Sequence, residues 1–282
     1  MGYKKISNLY KDIRILDFKE CYTLEKIHGT SAHIKFTDGK IHFFSGGSKH
    51  ETFIKLFDEE VLIALFTALG FPSICVYGEA YGGKMQGMSG TYGKELRFTA
   101  FEVQIGEAWL NVPNALDVAT KLQLDFVPFE QGPATVEWLN EQRDKPSQIA
   151  KRLGIVEDKM REGIVIRPLK EYFDYRGNRI ITKHKRDEFK ETKTPRDINP
   201  EQLQILEEAN DVADEWVTPM RLDHILDKLP EKGEMKHVPH VIRAMIADIK
   251  LESENEVIWS KAIEKAIGKN TVKLYKSHIS EV

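Results

Sequence analysis

Residues 25–30 hold the residue types that could do covalent chemistry on a nucleotide. They read Glu-Lys-Ile-His-Gly-Thr and follow a strand-like stretch. A lysine amine attacks only when it is deprotonated, and the reference pKa of lysine is about 10.4, so the surroundings must favour the neutral form. Gly29 would let the main chain approach a phosphate group closely. The segment predicts Lys26 as a nucleophile toward a nucleotide α-phosphate, although an isolated strand lysine is more often a solvated side chain.

Two carboxylates and an aromatic ring lie further along the chain. Glu79 stands at the end of a strand-like run beside a glycine-rich turn, where a carboxylate can accept hydrogen bonds from a ribose. Phe101 offers a ring on which a purine can stack. Glu162 directly precedes an apolar run and could hold a hard cation such as Mg²⁺ against a phosphate oxygen. Taken singly, these residues could equally be surface glutamates and a core ring.

Lys183 and Lys185 are separated by one residue in a strand-like run. The period of two places both side chains on the same face of a strand. Two ammonium groups directed into one cleft are costly unless they meet phosphates, and a charged edge strand is the alternative. The pair therefore predicts a phosphate-binding surface.

The elements that must position these residues follow from periodicity and turn signals. Asp38-Gly39 predicts a hairpin turn. The patterns predict strands over 22–36, 41–44, 74–77, 96–103, 163–167 and 179–185, with a turn at Arg176-Gly177-Asn178. They predict helices over 51–69, 114–122 and 135–153.

After Pro200 the alternation of β-branched residues ends and helix signals take over. Asn199 before Pro200, and Thr218 before Pro219, are each typical of a helix N-terminus. Predicted helices cover 200–216, 219–229, 237–251 and 255–267. The sequence therefore predicts an α+β fold: antiparallel sheets with flanking helices over residues 1–195, and a small all-α C-terminal domain over residues 196–282.

Composition restricts the class of protein. The chain has 282 residues, of which 41% are hydrophobic and 30% charged, enough for one large domain and a smaller one. Its net charge of −3 means that contact with nucleic acid must come from local patches. The longest apolar run, around 61–69, is too short to span a membrane. Cys21 and Cys75 show no metal-binding spacing, so we expect buried thiols in the reducing cytoplasm. We also expect a monomer that has no membrane partner.

Five segments in this order resemble the motifs of the covalent nucleotidyltransferases, which include ligases and mRNA-capping enzymes. More narrowly, the chain resembles the type-2 RNA ligase family. The first segment is 25–30, and the others contain Glu79, Phe101, Glu162 and the run Lys183-His184-Lys185. The resemblance covers about residues 20–192 and extends weakly to the helical tail. It implies an adenylyltransferase (nucleotidyltransferase) domain over 1–195.

The resemblance also implies an activity: an ATP-dependent RNA ligase that forms a lysyl-AMP intermediate and uses Mg²⁺ or Mn²⁺. AMP would pass from Lys26 to an RNA 5′-phosphate, and a 3′-hydroxyl would then displace it. The RNA partner would be a nicked duplex or paired ends. The implied roles are as follows: Lys183 and Lys185 neutralise the α-phosphate, Glu162 binds the metal, Glu79 takes the ribose, Phe101 and Val165 sandwich the adenine, and Glu25, Ile27 and His28 lie beside the nucleotide.

Two positions depart from the family pattern. The family usually has an asparagine directly after the threonine of the first motif, where this chain has Ser31. It also has an arginine about twenty residues beyond the lysine, near Gly46 here. Lys49 lies nearby, but a lysine point charge does not replace an arginine fork. We therefore expect recognition of the ribose and of the RNA end to differ from the family pattern.

Other readings share part of this pattern. A DNA ligase normally appends an all-β barrel, and no strand pattern follows Pro200. A capping enzyme would use GTP and normally lacks a histidine at position 28. An NAD-dependent ligase would carry a further domain before Lys26. A non-catalytic RNA-binding relative would not need Lys26, Glu162, Lys183 and Lys185 together. The substrate could be a nick, a single-stranded end or a tRNA.

Overall fold

The computed structural model describes residues 3–174, 177–189, 198–230, 232–254 and 256–280. It forms two compact units, Met1–Asp197 and Ile198–Val282. The predicted domain boundary after Pro195, and the predicted turn residue Arg176, lie outside the described residues.

The described residues of the first unit form two five-stranded sheets. The strands are β1 Ser7–Asn8, β2 Glu20–Lys26, β3 Thr30–Thr37, β4 Lys40–Ser45, β5 Ser73–Gly82, β6 Leu96–Ile105, β7 Ala108–Trp109, β8 Phe129–Pro133, β9 Gly163–Pro168 and β10 Thr182–Lys185. The first sheet has the order β1-β10-β9-β2-β8 and the second β4-β3-β5-β6-β7. The pairs are antiparallel, as predicted, except that β1 runs parallel to β10.

The predicted hairpin joins β3 to β4. Asp38 and Gly39 both have positive φ, 50° and 79°, which is the backbone that a tight hairpin turn between right-twisted strands requires. The turn fixes the register, so that Thr37 faces Lys40 and His33 faces Phe44.

Of the helices predicted for the first unit, the one over 114–122 is present with slightly different bounds, and the two longer ones are each divided in two. The helices observed are α1 His50–Ile54, α2 Glu59–Ala68, α3 Ser89–Tyr92, α4 Val112–Lys121, α5 Val136–Asp144 and α6 Gln148–Arg152. The single helices predicted over 51–69 and 135–153 are wrong. Asp58 caps α2 by accepting from the Val61 N–H (3.1 Å), and Ser147 caps α6 by accepting from the Ala150 N–H (3.1 Å). A new cap starts a new helix, so each predicted helix is two.

Alternation along β3 decides which face of the second sheet is buried. Ala32, Ile34 and Phe36 are buried, and Phe36 stacks on Phe66 of α2 with ring centroids 5.3 Å apart. The intervening residues point to the other face. Ser31 therefore lies on the face opposite the hydrophobic core, and Glu79, its partner on β5, lies on the same face.

The described residues of the second unit form helices around a separate core. The helices are α7 Pro200–Trp216, α8 Pro219–Lys228, α9 Val238–Glu252 and α10 Lys261–Ser280. Asn199 accepts from the Glu201 N–H (2.9 Å) and Thr218 from the Arg221 N–H (3.2 Å), so both predicted caps form. The last helix begins later and runs further than the predicted 255–267. Among the described residues, no helix has both the length and the apolar character needed to cross a bilayer.

Gly163 of β9 pairs with Lys185 of β10 at a position that leaves no room for a side chain. A Cβ added there would be 2.1 Å from the His184 carbonyl oxygen and 2.8 Å from Lys185 Cα. Gly163→Ala should therefore push the strands apart and lower the free energy of unfolding by about 2 kcal/mol or more in urea denaturation. Gly90→Ala is the matched control, because an added Cβ there meets nothing within 4 Å. Equal stability of the two variants would contradict this account.

Candidate nucleotide-binding site

The register of the first sheet aligns the predicted phosphate-binding residues. Lys26 of β2 faces Gly163 of β9, which faces Lys185 of β10. Val165, two residues after Gly163 in β9, is the partner of Lys183 in β10. Because residues two apart in a strand share a face, Lys26, Val165 and both β10 lysines lie on one side of the sheet.

The buried carboxylate of Glu162 brings three nitrogen atoms together. Its Oε2 lies 2.9 Å from Lys26 Nζ and 3.3 Å from His28 Nδ1, and its Oε1 lies 2.8 Å from Lys185 Nζ. Glu162 is 1% exposed. Burial alone would raise the Glu162 pKa, but the charges and hydrogen bonds of Lys26 and Lys185 outweigh it and hold the pKa below its usual value. We refer to Lys26, His28, Glu162 and Lys185 as the ion cluster.

Glu79 belongs to β5 of the second sheet and lies near enough to the ion cluster to feel the charges of Lys26 and Glu162. It accepts a hydrogen bond from the Gly29 N–H at 3.1 Å. A side chain at Gly29 would clash, because its Cβ would lie 2.3 Å from the Ala80 carbonyl oxygen. Burial raises the pKa of Glu79 to about 7; Lys26 opposes this rise and the charge of Glu162 adds to it.

A cavity of about 270 Å³ lies between the two sheets. Phe101 of β6 lines it from the second sheet and Val165 of β9 from the first, so the two predicted base-contacting residues share one cavity. The other predicted residues that line it are Glu25, Lys26, Ile27, Glu79 and Lys183. Glu162, His28 and Lys185 join them through the ion cluster.

Glu25 lines the cavity, but its carboxylate is engaged elsewhere. The Ser147 hydroxyl donates to it at 2.5 Å and the Gln148 N–H at 2.8 Å, and Arg161 lies 3.9 Å away. Burial raises the Glu25 pKa, while Arg161 and these hydrogen bonds oppose the rise. Contact between Glu25 and a nucleotide stays a prediction. Because the carboxylate is already hydrogen-bonded to Ser147 and Gln148, such a contact would have to come from the main chain of Glu25.

Several cavity residues carry no sequence signal. The cavity is lined by residues 3–6, which are Tyr3, Lys4, Lys5 and Ile6. They belong to no motif, and the strand that follows them, β1, has only two residues and therefore no alternation that could mark it. Glu102 and Arg167 also line the cavity, paired at 3.1 Å. The sequence signal that could have identified Glu102 and Arg167 is a charged residue within an otherwise apolar strand, because a buried charge requires a partner.

The two departures from the family pattern lie beside this site. Ser31 lines the cavity, and its carbonyl accepts from the Gly46 N–H at 3.0 Å. A Cβ at Gly46 would lie 3.1 Å from the Thr30 hydroxyl oxygen. Lys49 is exposed directly before α1. Gly46 therefore offers no side chain at the position where the family pattern has an arginine, and Lys49 does not line the cavity.

Glu162 fits a metal-binding role only in company with a nucleotide. No group of three or more histidine, cysteine and acidic side chains within the described ranges could hold a metal ion. Mg²⁺, however, is commonly bound by one or two carboxylates together with phosphate oxygens and water. Glu162 supplies such a carboxylate next to Lys26, and phosphates would have to complete the donor set.

The comparison with protein families decides the class of protein. The model of the RNA ligase family matches residues 19–185, more than half of the chain. The chain belongs to the RNA ligase family. The resemblance predicted from the five motifs is thereby confirmed. No curated protein sequence matches the chain.

Solved structures of the Naegleria gruberi RNA ligase share the fold. A variant with ATP and Mn has a TM-score of 0.53 at 14% identity, over 67% of this chain and 57% of that one. A variant with AMP and Mn has a TM-score of 0.53 at 15% identity over the same shares. The match thus spans little more than half of the Naegleria chain. The mixed fold with antiparallel sheets is the fold of an RNA ligase.

The raised pKa of Glu79 predicts a pH-dependent stability. The folded chain keeps a proton up to about pH 7 that the unfolded chain releases near 4.5, so this group lowers stability as pH rises through that interval. Glu79→Gln does not titrate. Its free energy of unfolding relative to wild type should therefore increase between about pH 5 and pH 8, by up to about 3 kcal/mol. Exposed Glu107→Gln is the control for denaturant melts at each pH, and a pH-independent difference for Glu79→Gln would contradict the assignment.

Proposed function

We propose that this chain is an ATP-dependent RNA ligase that joins RNA 3′-hydroxyl and 5′-phosphate ends through AMP bound covalently to Lys26. The observation that carries this proposal is the ion cluster, in which Lys26 shares one buried carboxylate with Lys185 beside a cavity that Lys26 itself lines. Membership of the RNA ligase family supports the reaction class. The Naegleria structures with ATP, or with AMP, and Mn support the use of a nucleotide and a divalent cation.

In the first step the Lys26 ammonium must release a proton to the solvent and leave its ion pair with Glu162. A divalent cation bound at Glu162 would neutralise phosphate oxygens and compete with Lys26 for the carboxylate. The freed Nζ attacks the α-phosphorus of ATP, a P–N bond forms, and pyrophosphate leaves. Lys183 and Lys185 stabilise the negative charge of that transition state.

The same side chains serve the second and third steps. An oxygen of the RNA 5′-phosphate attacks the AMP phosphorus, and the Lys26 amine leaves. A 3′-hydroxyl then attacks the activated 5′-phosphate, a phosphodiester forms, and AMP departs. Adenine lies between Phe101 and Val165 throughout, while Glu79 binds the ribose. We infer that the chain acts as a cytoplasmic monomer on nicked duplexes or paired ends.

Lys26→Ala should abolish the covalent adduct. Wild type incubated with labelled ATP and Mg²⁺ should carry label through a denaturing gel and gain the mass of one AMP. Lys26→Arg should also fail, because arginine stays protonated and cannot attack. Lys40→Ala, an exposed lysine in the β3–β4 hairpin, should behave as wild type. Label on Lys26→Ala would refute the nucleophile, and label from GTP but not ATP would point to a capping enzyme.

Glu162→Gln should separate charge from shape. The substitution keeps the size of the side chain but removes the charge that attracts Lys26, Lys185 and a divalent cation. Adduct formation should fall by about 10- to 100-fold, as it commonly does when a residue that supports a metal site is changed. Exposed Glu141→Gln is the control. Wild-type rates for Glu162→Gln at limiting Mg²⁺ would make Glu162 a purely structural residue.

A chain ending at Asp197 should separate the activities of the two units. It retains the ion cluster and the cavity, so it should still form the adduct. It should lose most sealing of a nicked duplex, because the second unit offers exposed lysines on α10 (261, 265, 269, 273 and 276) that suit phosphate contacts. Arg221 of α8 is less suited to such contacts, because it is paired with Asp248 and Glu252.

Both activities are measured on the same truncated sample, after circular dichroism has shown that it is folded. Equal loss of adduct formation and sealing would contradict the division of labour. Undiminished sealing would show that the second unit has another role.

A further inference from the structure

The beginning of the described chain runs alongside the cavity and contacts both sheets. We refer to residues 3–9 as the N-terminal wall. At one end, the Tyr3 N–H donates to the Ser31 hydroxyl oxygen of the second sheet at 3.4 Å. At the other end, Ser7 and Asn8 pair with β10 of the first sheet, and the Leu9 N–H donates to the Lys183 carbonyl at 2.8 Å. Residues 3–6, between these ends, line the cavity.

The ring of Tyr3 is fixed by aromatic neighbours. Its centroid lies 5.1 Å from that of Phe101, 5.3 Å from that of Tyr77 and 6.2 Å from that of Trp109. All three contacts are edge-to-face, the arrangement that aromatic quadrupoles favour. Tyr3 thus contacts directly the ring that we assign to the adenine.

The hydroxyl of Tyr3 is fixed as well. It donates a hydrogen bond to Glu102, which is 1% exposed. Two guanidinium groups hold Glu102 in turn: Arg167 at 3.1 Å, and Arg179, which lies over the Trp109 ring at 4.2 Å. Because its acceptor cannot turn away without abandoning buried charges, the tyrosine has one strongly preferred position.

We propose that Tyr3 is a positioning residue for the nucleotide base, and that the N-terminal wall is a working part of the nucleotide site. Tyr3 holds the plane of Phe101 against the cavity, so that the base meets a ring already in place. Such preorganisation raises affinity because the ordering cost is met before the ligand binds. The inference rests on the proposed function, since it assumes that an adenine nucleotide occupies this cavity.

The position of Tyr3 predicts a specific kinetic signature. Phe101 contacts the base, whereas Lys26 and the β10 lysines act on phosphate. Loss of Tyr3 should therefore weaken the binding of ATP and leave the chemical step nearly unchanged. A merely structural role would instead lower the amount of active protein without altering the KM for ATP.

The test uses the full chain and measures adduct formation against ATP concentration. Here KM is the ATP concentration at which adduct formation reaches half its maximal rate, and kcat is the rate constant at saturating ATP. Tyr3→Leu should raise this KM about tenfold and change kcat by less than about threefold, since it removes both the edge contacts and the hydroxyl. Tyr3→Phe keeps the ring and loses only the hydrogen bond to Glu102, so its KM should rise about threefold. Tyr172→Leu is the control, because Tyr172 is 44% exposed and does not line the cavity.

The outcomes distinguish this inference from the proposed function. If wild type forms no adduct with ATP, the proposed function fails, whatever Tyr3 does. If wild type forms the adduct and Tyr3→Leu has the same KM, or loses only kcat, the positioning role is overturned. If thermal melts show that Tyr3→Leu does not fold, Tyr3→Phe decides: an unchanged KM overturns the role, and a rise supports it.

Discussion

The rest of the site depends on one buried carboxylate. Glu162 lies within 3.3 Å of nitrogen atoms from Lys26, His28 and Lys185. Without the carboxylate, two ammonium groups would face one another in a partly dehydrated space. Without the lysines, an enclosed negative charge would carry a desolvation cost of several kcal/mol. Each partner therefore makes the burial of the other tolerable, and the close pairing of β9 with β2 and β10 sets the distances.

In the proposed function, the two sheets divide the chemistry of the cavity. The first sheet contributes Lys26, Lys183 and Lys185, which suit phosphates, whereas the second contributes Phe101 and Glu79, which suit a base and a sugar. Alternation makes this division possible, because apolar residues of one face form the core and leave the other face for function.

The sequence was most informative where the determining contacts are local. Period-two spacing placed Lys183 and Lys185 on one face, and Asp38-Gly39, Asn199 and Thr218 marked turns and caps that the structure contains. Periodicity failed at Asp58 and Ser147, where a side-chain cap divides a continuous apolar pattern into two helices. The N-terminal wall was not predictable from pattern, because Tyr3 meets Phe101 and Glu102 only through the tertiary fold. The engaged carboxylate of Glu25 was missed for the same reason.

The ion pair between Lys26 and Glu162 joins residues 136 positions apart in the chain. Contacts of such long range form slowly, because a long loop must close before they bring any stabilisation. During synthesis the first unit emerges from its N-terminus, so Lys26 leaves the ribosome long before Glu162 and β10 exist. A nascent chain therefore carries Lys26, the proposed nucleophile, without the partners that hold it. The proposed nucleotide site can assemble only when β10 has emerged, which makes it one of the last parts of its unit to form.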